Sequence, residues 1–71
     1  MIITSPTNAR RFLYEHAKSK KWNIDTCLDC VSEAVEYNGA YRMSLAFIGE
    51  KYSLEFLVGT NGMITETGET A

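Results

Sequence analysis

YRMSLAFIGEKYSLEFLV, running from Tyr41 to Val58, is two alternating apolar–polar runs with Gly49-Glu50 between them. Glycine first in a two-residue loop is what a type II′ hairpin turn demands. With Ile48 set opposite Lys51, Phe47 meets Tyr52, Leu45 meets Leu54, Met43 meets Phe56 and Tyr41 meets Val58. Side chains alternate along a strand and directly opposed residues share a face, so these positions build one apolar surface. A slip of one residue would carry Arg42, Ser44, Ser53 or Glu55 into the core, so the pattern specifies its own register. This signal concerns the fold and names no function.

Working outward, the residues before Tyr41 read as two helices. Ser5-Pro6 supplies an N-cap followed by proline at the first helical position. From Pro6 to about Lys20 the apolar stripe is Ala9, Phe12, Leu13 and His16, with Ala17 at its margin. A short link, Lys21 to Ile24, leads to a second helix capped by Asp25 or Thr26. Its stripe is Cys27, Leu28, Val31, Ala34 and Val35, and Asn38-Gly39 ends it in left-handed geometry. A connection this short predicts antiparallel neighbours. After Val58, Gly59 to Gly62 is a turn signal and Met63–Thr67 a third strand. A two-residue Asn-Gly turn and a longer loop ending on Gly62 fit its start equally well. Residues 68–71 read as a frayed tail, and Met1–Thr4 as an edge strand or a loose arm.

The predicted fold class is α+β, one domain over residues 1–71 in two layers. An αα-hairpin packs on one face of a three-stranded antiparallel β-meander, four-stranded if Met1–Thr4 joins an edge. The opposite sheet face then carries Arg42, Ser44, Lys51, Ser53 and Glu55, but also Ala46, Ile48 and Leu57. The last three lie in water unless a partner covers them.

A chain of 71 residues buries only about 60% of its unfolded surface, so its core is marginal and association is an expected supplement. The longest unbroken apolar run, Leu45 to Ile48, is far short of the ~20 residues that span a bilayer. No basic segment followed by an apolar one marks a signal peptide. Two cysteines close together, without a spaced framework, point to the cytosol. Charge is divided along the chain. Through Trp22 five cations stand against Glu15 alone; from Asn23 onward, two stand against eight carboxylates. Such a division suits an anionic partner, a self-complementary dimer or internal neutralisation.

Candidate chemistry is sparse. Cys27-Leu28-Asp29-Cys30 is a C-x-x-C, but a zinc site needs a second pair or a matching His and carboxylate, and His16 sits on another helix's apolar stripe. A redox reading has the pair near a helix N-terminus, with Asp25 and Asp29 opposing a lowered thiol pKa. The packing reading, Cys27 in the core and Cys30 at its margin, is preferred. His16 likewise reads as a packed interface residue rather than a general base. No paired carboxylates, nucleophile–base arrangement or phosphate-cradling glycine loop appears. The expectation is therefore no enzyme, no cofactor and no metal.

The best functional hint is a basic stripe. Arg10, Arg11, Lys18 and Lys21 recur at helical spacing around Tyr14, as a helix would meet phosphates or an acidic protein surface. The sequence thus predicts a small cytoplasmic binding or regulatory protein, dimeric, working through protein contacts, a profile common among accessory proteins of bacteria and mobile elements. Its candidate surfaces are that stripe and the sheet positions Ala46, Ile48 and Leu57. Nucleic-acid binding through the first helix is the alternative, and a thiol or zinc function at Cys27 and Cys30 comes third.

Overall fold

The computed structural model describes residues 2–70. Its elements are α1 (Pro6–Ser19), a 3₁₀ turn (Leu28–Cys30), β1 (Val35–Tyr37), β2 (Ala40–Ala46), β3 (Ser53–Gly59) and β4 (Ile64–Thr70). The strands form one antiparallel sheet in chain order, so α+β holds, with four strands and, among the described residues, one α-helix.

The central hairpin adopts the expected register: Leu45 opposite Leu54, Met43 opposite Phe56, Tyr41 opposite Val58. Tyr41, Met43, Leu45, Phe56 and Val58 are buried, and Leu54 is half-buried. The turn differs from expectation. Pairing stops at Ala46 and Ser53, and residues 47–52 form a wider loop instead of a two-residue II′ turn. Asn23 is the reason. Its carbonyl accepts from Ile48 N–H at 2.9 Å, and its side-chain amide donates to the Ile48 carbonyl at 3.3 Å. The loop is drawn away from the ladder, and Glu50 N–H closes a turn on the Phe47 carbonyl with Gly49 at φ +83.

The second helix of the predicted αα-hairpin does not form. Val31 bridges to Leu45, Ser32 N–H donates to the Ser44 carbonyl at 2.9 Å, and Val35–Tyr37 pairs with β2. Asn38 (φ 49) and Gly39 (φ 80), expected to end a helix, are the two left-handed residues of a type I′ hairpin turn. Of the predicted stripe only Val31 is fully buried; Cys27 and Val35 are exposed. The physical preference is clear. Thr26, Cys27, Val31, Val35 and Tyr37 are poor helix formers, whereas strand pairing satisfies backbone groups along an otherwise bare edge of β2.

Helix α1 forms as read. Ser5 Oγ accepts from Asn8 N–H at 3.2 Å and Pro6 opens the first turn. Ala9, Leu13 and Ala17 are buried against the sheet, with Phe12 and His16 at the margin. The helix ends in a Schellman motif: Trp22 N–H reaches the Ala17 carbonyl at 3.1 Å and Lys21 N–H the Lys18 carbonyl at 3.0 Å. Trp22 then stacks on Phe56 with centroids 5.7 Å apart, leans on Phe47, and receives His16 edge-on. Together with buried Ile24, this link supplies core cover that the sequence reading had assigned to a second helix.

At the far end, Gly62 (φ +87) closes a loop in which Gly59 N–H meets the Met63 carbonyl at 2.8 Å. The longer of the two expected loops is therefore the one formed. Strand β4 continues through residues expected as a frayed tail, with Gly68 opposite Glu55; Ala71 lies outside the described residues. A bulge lets Phe56 face Glu66 and Glu55 face Gly68, leaving Thr67 extra. Residues 2–4 do not pair as a strand, and Met1 lies outside the described residues. Ile3 is nonetheless anchored, 2% exposed, with its N–H on the Thr60 carbonyl at 2.8 Å. No helix among the described residues is long and apolar enough to cross a membrane.

Candidate protein-contact face

Helix α1 and the residues after it lie on one side of the sheet. The outward side chains of all four strands form the other side. Directly opposed residues share a face, so Val35 joins Arg42, Tyr37 joins Ala40, and Thr65 joins Leu57 on that outer surface. Arg42 is at its centre. Its guanidinium carbon lies 5.1 Å from the Tyr37 ring centroid, and its Nε is 3.7 Å from Glu55 Oε2. The other Glu55 oxygen accepts from the Thr67 hydroxyl at 2.9 Å. One residue from each strand thus makes a band Tyr37–Arg42–Glu55–Thr67 across the sheet. Small side chains, Ser44, Ala46 and Ser53, flank one side of it; Ala40, Leu57 and Thr65 flank the other. Tyr37 is 48% exposed and Val35 57%.

Such a surface has the makings of a contact face. Tyrosine and arginine are the residue types that most often anchor protein interfaces, and pre-pairing of Arg42 reduces the side-chain ordering that association costs. Of the sequence-selected sheet residues, Ala46 is exposed and Leu57 half-buried on this face. Ile48 is not on it. Held by Asn23, it sits 55% exposed in the loop beyond the paired strands. Lys51 lies in the same loop. The sequence pattern puts Val35 on a helical stripe and does not single out Tyr37, although Asn38-Gly39 between alternating runs is a strong hairpin signal.

The residues of the basic stripe are engaged in different ways. Arg10 Nε donates to the Val31 carbonyl at 2.9 Å and Arg10 Nη2 to the Leu28 carbonyl at 3.1 Å, which pins the 3₁₀ turn to α1. Tyr14 is half-buried against the core, with Lys18 Nζ 5.6 Å from its ring centroid. Arg11 instead lines a mostly apolar hollow of about 420 Å³ with Ile2, Ile3, Asn8, Phe12 and Glu15. Lys21 is exposed at the helix end, where positive charge also complements the helix dipole.

The predicted burial of Cys27 in the core is corrected, since it is exposed, whereas Cys30 is half-buried at the core margin, as expected. The second helix that was to carry Cys27 inward is absent. Burial first, then the Asp25 carboxylate, holds the Cys30 thiol above its ordinary range. Among the described residues no three His, Cys, Asp or Glu side chains gather as a metal site. No protein-family model matches the chain, and no curated protein or solved structure matches it.

Proposed function

We propose that this protein is a small non-enzymatic binding protein that works by protein–protein contact, with the outer sheet face as its docking surface and a second copy as one occupant. The observation that carries the reading is a four-stranded sheet whose outer side is covered by no second layer among the described residues and is crossed by the Tyr37–Arg42–Glu55–Thr67 band. Sheets with one face covered bury little for their length, and a partner supplies the missing layer. Nucleic-acid binding through α1 has less support, because Arg10 is committed to the Leu28 and Val31 carbonyls.

The test compares wild type with the double variant Val35→Asp, Tyr37→Ala by sedimentation velocity at micromolar concentration, and by pull-down from native extract. Both positions are exposed, so the melt should hold within about 0.5 kcal/mol. Self-association and retained partners should be lost together in the variant. A wild type that stays monomeric, and a variant that retains every partner, would retire the face.

A further inference from the structure

We propose that Cys27 and Cys30 are a thiol pair that a low-molecular-weight disulfide, such as oxidised glutathione, converts into a disulfide closed within one turn of chain. Cys27 is the N-cap of the 3₁₀ turn, with extended backbone (φ −118, ψ 160), and Cys30 is its last residue. Val31 N–H donates to the Leu28 carbonyl at 3.0 Å, a bond that spans Cys30 and starts one residue after Cys27. A four-residue turn brings its first and last Cα within about 7 Å, and a disulfide spans Cα separations of about 4.4–6.8 Å. The two cysteines, three positions apart with only the turn between them, therefore need little backbone movement to be bridged.

The surroundings divide the labour between the sulfurs. Cys27 is exposed and meets a solution disulfide directly, while Cys30 packs against the core cluster. Cys27 is the exposed one of the two, while burial and then Asp25 hold the Cys30 thiol up, so the first attack belongs to Cys27. The Cys27 thiolate attacks one sulfur of RSSR, forming Cys27–S–S–R and expelling RS⁻, which takes up the proton Cys27 released. Cys30, losing its proton, then attacks the Cys27 sulfur and expels the second RS⁻, which is protonated in turn. Protein dithiol and RSSR become protein disulfide and two RSH: the two cysteines are oxidised and the small disulfide is reduced. A shallow hollow of about 260 Å³, lined by Asp25, Asp29, Cys30, Ala46, Phe47 and Ile48, opens beside the second sulfur. The platform is firm. Arg10 grips the carbonyls of Leu28 and Val31, and Val31 is fully buried.

The test treats the full chain with oxidised glutathione and follows intact mass together with alkylation of free thiols. Wild type should lose two hydrogens and both alkylatable thiols without change of oligomeric state, and dithiothreitol should restore them. Cys30→Ser should stop at a single glutathione adduct on Cys27, and Cys27→Ser should react about tenfold more slowly or less. Two thiols that persist in wild type, a bridge formed only between copies, or equal rates for the two variants would overturn the proposal.

Discussion

Lys21 carries a backbone conformation that a lysine does not favour. It stands at φ 60, the left-handed position that closes the Schellman end of α1, where glycine is the common occupant. Replacing it with glycine relieves the Cβ clash while preserving both capping hydrogen bonds. Lys21→Gly is expected to stabilise the fold by about 0.5–1 kcal/mol in urea denaturation, despite the loss of a favourably placed charge. Tyr52 is a second residue under local constraint. The Glu50 carboxylate first, then burial, then Glu69 and Glu66, push its phenol above the usual 10.0. An acid whose pKa rises on folding is bound to its proton more tightly in the folded state. Its contribution is complete below pH 10.0 and is lost as pH climbs through the folded value. Wild type should therefore lose melting temperature more steeply than Tyr52→Phe above pH 10.0, with the two curves parallel at neutral pH. Parallel curves throughout would refute the assignment.

Among the elements, the β2–β3 hairpin is the one on which the core depends. Phe56 is 2% exposed and stacked under Trp22, so Phe56→Ala should cost about 3–5 kcal/mol, a large part of the stability of so small a domain. Ser44, on the outer face, should tolerate alanine with little change. Equal mildness in thermal melts would contradict the face assignment. This hairpin was legible in the sequence because period-two alternation ties each residue's face to its partner's. Its loop was not, since the Asn23–Ile48 pair lies 25 positions apart. Residues 25–39 were misread for a different reason. Cys27, Leu28, Val31, Ala34 and Val35 also satisfy helical spacing, and Asn-Gly ends helices as readily as it turns hairpins. Half of the candidate face was lost with that strand: Ala46 and Leu57 were found from alternation, whereas Val35 and Tyr37 were hidden inside a supposed helix.

At the scale of the whole molecule, a meander has two ends, and nothing in the topology closes this one. Among the described strands β1 and β4 are the edges, and the outer rim of an edge strand is a template for pairing with another copy. Head-to-tail joining of that kind does not terminate, and it grows into a filament. The bulge at Thr67 breaks the regular spacing an incoming strand would need. Glu66 and Glu69 stand in β4 and Glu36 in β1, so such a junction would bring carboxylates together. Deleting Thr67 together with Glu66→Gln and Glu69→Gln should leave the hairpin core intact yet yield polymers that bind thioflavin and seed their own growth. If that variant remained monodisperse, the barrier would have to lie elsewhere. Polymer growth would instead show that a bulged, carboxylate-bearing last strand is what keeps a half-covered sheet from becoming a fibre.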